Sequence, residues 1–186
     1  MQQLKYDNIA ISGGIGVGTT TLMYNLLPYL TPLGFKAKST GEFFRNYTKE
    51  NIDPSATLWN DQMDRDVDGD VKKLFEKSKK WIIEGWLAGF MSRNITSALR
   101  VLLICSNEGV VFQRVAKRDG LTLNEAKKYT QEREKRNLAK WRRIYGNYDF
   151  FDTKYYTIVI DTATSSETAT VNAVLEVLGF KKNDTN

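Results

Sequence analysis

The chain carries the run Gly13-Gly14-Ile15-Gly16-Val17-Gly18-Thr19-Thr20-Thr21, directly after the apolar stretch Ile9-Ala10-Ile11-Ser12 and directly before a leucine-rich segment that starts at Leu22. Glycines let successive backbone N–H groups turn toward an anion with no Cβ in the way. A helix N-terminus behind them adds unpaired N–H groups and the positive end of its dipole. Strand, glycine loop and helix together describe a cradle for a nucleoside triphosphate, with Gly13, Gly14, Gly16, Val17, Gly18, Thr19, Thr20 and Thr21 as its residues. The spacing follows G-x-x-x-x-G-K-[ST] with one departure: Thr19 stands at the lysine position. Thr20 falls where the hydroxyl of such a loop coordinates magnesium. Without the ammonium a point charge is missing beside the β- and γ-phosphates, so either another cation supplies it or catalysis is weak.

The remaining chemistry is bounded by an absence. With no histidine in the chain, the commonest general base and the Ser-His and Cys-His nucleophile arrangements are excluded. Reactions must run on carboxylates, cations and backbone. The cations are concentrated: Arg114 to Arg143 holds eleven Lys or Arg against four Asp or Glu, whereas Asp61 to Asp70 holds five acidic residues. A general polyanion binder has less need of that acidic block than an enzyme that handles compact phosphates on one basic element, although solvated helix faces would read the same way. Alternating carboxylates could also bind calcium, but Gly69 and the ligand spacing do not fit an EF-hand.

Stepping along the chain, apolar runs that fit buried strands recur at Ile9 to Ser12, Trp81 to Glu84, Val101 to Cys105 and Thr157 to Ile160, with a weaker one at Phe35 to Lys38. Helix-period stretches lie between them. Leu22, Leu26, Leu27 and Leu30 share a face, as do Val110, Val111 and Val115, and, near the end, Val171, Val174, Leu175 and Leu178. Strands alternating with helices predict a parallel sheet covered on both faces. Thr162 to Thr170 reads as a loop leading into a capped helix.

A length of 186 residues fits one domain. No apolar run approaches the roughly 20 residues of a membrane span, and Tyr6-Asp7-Asn8 ahead of a short apolar run lacks a signal-peptide pattern. A lone Cys105 excludes an internal disulfide and fits a reducing, cytoplasmic compartment, packed in the core.

These residues resemble the cytidylate kinase family, in particular its archaeal-type branch, in which a GxxGxGTTT loop carries threonine for lysine. Thr40-Gly41-Glu42-Phe43-Phe44-Arg45 looks like the family's G-E-x-F-R segment. Ile83-Glu84-Gly85-Trp86-Leu87-Ala88-Gly89-Phe90 looks like its L-E-G-R-L-A-G-W stretch, and Met63-Asp64-Arg65-Asp66-Val67-Asp68 resembles its I-D-x-x-I-D. Arg114 to Gly120, and Arg133 to Arg136 through Ile144-Tyr145-Gly146, look like its lid. The matches keep order and spacing over about residues 7 to 178.

The resemblance implies a P-loop NTPase of the nucleoside monophosphate kinase variety: an α/β parallel sheet covered by helices, with a mobile helical lid. It implies one kinase domain over 1–180, with acceptor-binding helices at about 40–78, a lid at about 118–147 and a tail at 181–186. The implied reaction is ATP-dependent phosphorylation of a nucleoside monophosphate, CMP or dCMP, with Mg2+. Thr20 and Glu84 would hold the metal; Arg133 and Arg136, three apart on one helix, would stabilise the transferring phosphoryl group; Arg118, with Arg114, would meet the donor. Gly41, Phe44, Arg45, Trp86 and Lys140 would meet the acceptor, with Arg45 clamping its phosphate. A monomer acting on a small molecule, with no nucleic-acid or membrane partner, is expected. One departure stands out: Trp86 occupies the place of an arginine, so a cation near the acceptor is gone, and Trp86 would stack on a nucleobase or pack in the core. A kinase for another small molecule or nucleotide, and a non-catalytic nucleotide-binding P-loop protein, are the alternatives.

Overall fold

Strand β1 (Asn8–Gly13) is buried at each of its residues, a condition met only at the centre of a sheet covered on both faces. The computed structural model describes residues 3–41 and 61–181. In it β1 lies between β3 (Trp81–Glu84) and β4 (Ala98–Ile104), with β2 (Lys36–Ser39) and β5 (Ile158–Asp161) at the edges. All pairs are parallel, in the order β2-β3-β1-β4-β5. The expected strands are present, with shifted ends. β4 begins earlier than its apolar run because Ala98 and Leu99 pair with Asn8 and Ile9. Cys105 falls just past it and is only partly buried, its thiol directed to the Asn107 carbonyl.

Alternation along β1 divides the core. Ile9 and Ile11 pack with Leu22, Leu26 and Leu30 of α1 (Thr19–Leu30) and with Val171, Val174, Leu175 and Leu178 of the C-terminal helix. Ala10 points the other way, with Ile83 and Ala98, onto Val71 and Phe75 of α2 (Asp61–Lys77) and Ala88 of the short α3 (Ala88–Met91). Small residues let α3 approach β1 closely. A Cβ on Gly89 would lie 2.4 Å from the Tyr156 ring and 3.2 Å from the Ser12 hydroxyl oxygen, and the Gly89 N–H donates to that oxygen.

Beyond β4 the chain forms α4 (Glu108–Asp119) and the long α5 (Leu123–Tyr145), then, after β5, α6 (Glu167–Leu178). Helix α5 carries the basic run expected of the lid. Its C-terminal half rests on an aromatic cluster in which Trp141 and Phe90 pack against Phe150.

The acidic run forms a helix, as expected, but its inner face is not solvated. Asp61, Asp64 and Asp68, spaced to share one side of α2, meet Arg143, Lys140 and Tyr145 of α5. Asp64 and Lys140 form a largely buried ion pair. Burial pushes the Asp68 carboxyl up to about 7, against the hydrogen bond from the Tyr145 hydroxyl.

Two measurements check this packing. Gly89→Ala, which forces a methyl group into a buried aromatic edge, should cost about 1 to 3 kcal/mol in a denaturant melt. An acid that titrates near 7 when folded and near about 3.9 when unfolded holds its proton more tightly in the native state, so stability falls as pH rises through that window. Asp68→Asn, which mimics the protonated group, should therefore raise Tm at pH 8 and leave it nearly unchanged below pH 4.

Candidate active site

The loop from Gly13 to Gly18 joins the C-terminal end of β1 to α1, at the sheet edge where parallel folds bind ligands. Gly16 and Gly18 have φ of 71° and 97°, left-handed values that glycine adopts without strain. A Cβ on Gly13 would meet Val17 at 2.6 Å and the Leu103 carbonyl at 2.7 Å. Helix α1 then starts without a side-chain cap and without an acidic residue in its first turn. The contrast with the other long helices beyond β4 is direct: Asn107, Thr122 and Ser166 cap α4, α5 and α6, each with a glutamate in the first turn. Those three ends satisfy their own N–H groups. The end of α1 leaves them for a ligand.

Beside that end lies Glu84, 7% exposed. β3 brings it there through its register, opposite Ile11 on β1 and Ser39 on β2. The Thr19 hydroxyl donates to Glu84 Oε1 at 2.8 Å, and the Ser39 hydroxyl donates to Oε2 at 2.6 Å. Thr40 Oγ1 donates to the Glu84 backbone carbonyl. Among the described residues no lysine or arginine pairs with this carboxylate. Ser39 escaped the sequence reading; its one signal there is a hydroxyl residue ending a strand just before Gly41.

A cleft of about 890 Å3 opens over the loop, walled by Thr20, Gly41, Glu84, Trp86, Arg118 and Arg133 among others. Thr20, in the first turn of α1, is half-buried on that wall. Arg114 also lines it, but its guanidinium is engaged: it donates to the Gly16 and Thr162 carbonyls and to Thr162 Oγ1, tying the loop to the segment after β5. Arg118 forms a two-bond fork with Asp119.

The paired lid arginines part company. Arg133 donates to the Tyr129 hydroxyl and reaches the cleft. Arg136 is exposed on α5 and is not part of the cleft wall, because three residues turn a helix about 300° rather than a full circle. Lys140 is also outside the wall, held by Asp64 in the seam between α2 and α5. Trp86 stands partly buried at the cleft edge, its ring 5.2 Å from that of Trp141 and 6.5 Å from that of Phe151, so it packs and faces the ligand space at once. Phe44 and Arg45 lie outside the described residues.

A second residue escaped the sequence reading. Glu134, next to Arg133, brings its carboxylate to the phosphate loop, beside Gly14 and the Ile15 backbone N–H. Burial and the nearby Glu108 raise its pKa, and the Ile15 N–H opposes them.

Residues 34–164 match the model of the Cytidylate kinase-like family. The chain is 36% identical over 163 residues to a cytidylate kinase of Pyrococcus abyssi, covering 83% of this chain and 84% of the relative. It is 33% identical over 163 residues to a cytidylate kinase of Methanocorpusculum labreanum, covering 85% and 88%. Among solved structures, a gluconokinase from Sinorhizobium meliloti superposes with a TM-score of 0.61 at 11% identity, covering 95% of this chain and 94% of that one. That likeness concerns the fold, and it agrees with a P-loop kinase sheet. A phosphate cradle, a buried carboxylate at its side and a basic helix above it thus occur in a chain that belongs to the cytidylate kinase-like family.

Proposed function

We propose that this chain transfers the γ-phosphoryl group of ATP to CMP or dCMP, giving ADP and the nucleoside diphosphate. The observation that carries the reading is the uncapped N-terminus of α1 beside the buried Glu84, in a chain of this family. An oxygen of the acceptor phosphate attacks the γ-phosphorus in line. The new O–P bond forms as the bond to the bridging β,γ-oxygen breaks, and the electron pair leaves on ADP.

The chain's own part is binding, positioning and charge. The N–H groups of Gly16 to Thr20 hold the donor phosphates, and Arg114 keeps the loop in place from behind. Arg133 brings a cation to the equatorial oxygens, which the absent loop lysine does not supply. Arg118 takes the donor side. Gly41, Phe44 and Arg45 take the acceptor side, where a guanidinium can bond two phosphate oxygens at once. Helix α5 closes the cleft against water, so that hydrolysis does not compete.

Thr20 and Glu84 fit Mg2+: a hydroxyl on the cleft wall and a buried carboxylate without a cationic partner among the described residues are oxygen donors of the kind this ion takes. The ion would neutralise charge on the phosphate oxygens. We further read the protein as a cytoplasmic monomer, a compartment that suits its lone thiol. Among the described residues no helix is long and apolar enough to cross a membrane.

Trp86 favours a second reading, a kinase of this fold with a different acceptor, since an aromatic ring rather than a cation faces the ligand space. A panel of monophosphates separates the two. With ATP as donor, ADP release should be fastest with CMP or dCMP; no acceptor-dependent ADP from any pyrimidine monophosphate would remove the proposal. Steady-state kinetics on the lid should then separate its arginines. Arg133→Ala should lower kcat by on the order of 10² to 10³ with ATP binding nearly intact. Arg136→Ala, which alters an exposed side chain, should lower it far less.

A further inference from the structure

The Glu134 carboxylate reaches the phosphate loop at one point. A Cβ on Gly14 would lie 2.9 Å from Glu134 Oε1, and among the described residues beyond its chain neighbours no other atom would come within 4 Å of it. The Ile15 N–H lies beside the same carboxylate, outside the Gly16 to Thr20 amides assigned to the phosphates. Ile15 is itself 5% exposed and packs with Val111, Phe112 and Val115 of α4 and with Ala126 of α5. The loop tip is therefore a fixed object on which a helix can be seated.

We propose that Glu134 is a positioning residue: its carboxylate seats α5 on the phosphate loop at Ile15 and thereby holds Arg133 over the donor site. The proposal rests on the kinase reading above for its kinetic consequence, and on geometry alone for the seat. Neighbouring residues on a helix point about 100° apart, so fixing Glu134 against the loop fixes the rotation of α5 and with it the direction of Arg133. Arg133 is steadied from its own helix by Tyr129, one turn earlier. Tyr129 and Ala126 pack into the apolar cluster around Ile15, and Glu134 adds a polar contact to the loop at Gly14. The placement of its charge agrees with this role. A carboxylate among the phosphate amides would repel the donor, whereas one at Ile15 stands beside an N–H that the donor leaves free.

The glycine at position 14 supplies an independent handle. Its φ lies outside the left-handed region, so alanine is tolerated by the backbone, and among the described residues beyond its chain neighbours the added methyl meets the Glu134 carboxylate alone. Gly14→Ala and Glu134→Ala should therefore remove the same contact by opposite routes. Glu134→Gln keeps an oxygen beside Ile15 N–H and should rescue.

The test has two arms on the full chain. In steady-state kinetics with ATP and CMP, Glu134→Ala and Gly14→Ala should each lower kcat by about 10- to 10²-fold, the scale of a misplaced catalytic group. ATP binding by calorimetry should stay within about twofold in Glu134→Ala. The double variant should be no worse than either single one, and Glu134→Gln should stay close to the parent. In amide hydrogen exchange without nucleotide, protection at Ile15 should fall in both alanine variants and persist in Glu134→Gln. Parent-like turnover by Glu134→Ala, tighter ATP binding by it, or losses that multiply in the double variant would each overturn the positioning role. Unchanged exchange at Ile15 in Glu134→Ala would overturn the seat. A parent chain that shows this exchange pattern but no acceptor-dependent ADP would leave the seat standing and remove the kinase reading instead.

Discussion

The Glu84 carboxylate accepts hydrogen bonds from Ser39 on one side and Thr19 on the other, and those two residues belong to different elements. Ser39 ends β2, Thr19 opens α1, and Glu84 itself ends β3. A carboxylate taken out of water carries a penalty of several kcal/mol unless it is paired or well hydrogen-bonded. Each hydroxyl bond to a charged group returns about 1.5 to 3 kcal/mol. The pair of them holds the carboxylate in place without a lysine or arginine partner among the described residues. It also ties the ends of two neighbouring strands to the first turn of the helix that cradles the phosphates. Displacing Glu84 would loosen the end of β2 and the first turn of α1 together.

Thr19 thereby acquires a role that a lysine could not fill in the same way. A lysine at this position would set an ammonium beside the phosphates; threonine instead orders the acid beneath them. Among the described residues, the arginines that line the cleft stand on α4 and α5. Charge on a helix that covers the site is delivered only when that helix is seated correctly. The geometry of α5 therefore matters more here than in a loop with its own cation.

That geometry is set at two places along α5. Its C-terminal half is bound to α2 by the Asp61–Arg143, Asp64–Lys140 and Asp68–Tyr145 contacts, and to the sheet by Trp141 and the aromatic rings around Phe150. Exposed pairs such as Asp61–Arg143 contribute little in water. The buried Asp64–Lys140 pair matters more for specificity, because breaking it would strand a charge away from solvent. Toward the N-terminal side the helix meets the phosphate loop at Glu134 and Ile15. Helices α2 and α5 are thus joined along the C-terminal half of α5, and the loop meets α5 near its middle.

The fold and the phosphate cradle were legible in the chain itself. Apolar runs of strand length, the glycine spacing from Gly13 to Gly18 and the leucine period after it are local patterns, and local patterns follow from backbone geometry that holds in any context. Thr20, Glu84 and Arg133, named as candidates from the loop spacing and the family resemblance, all line the cleft. Ser39 and Glu134 were not so named. Each matters through a partner far along the chain, Ser39 through Glu84 and Glu134 through Ile15, and nothing in the spacing of residues reports which distant atoms a side chain will meet. The parting of Arg133 from Arg136, the commitment of Lys140 to Asp64 and the double role of Trp86 are of the same kind. The sequence by itself determined which chemistry the chain can hold and the elements that carry it. Only the tertiary structure decided which charges reach the cleft and which are spent in seams, because that choice depends on how two helices rotate against one another, and helical rotation is set by packing.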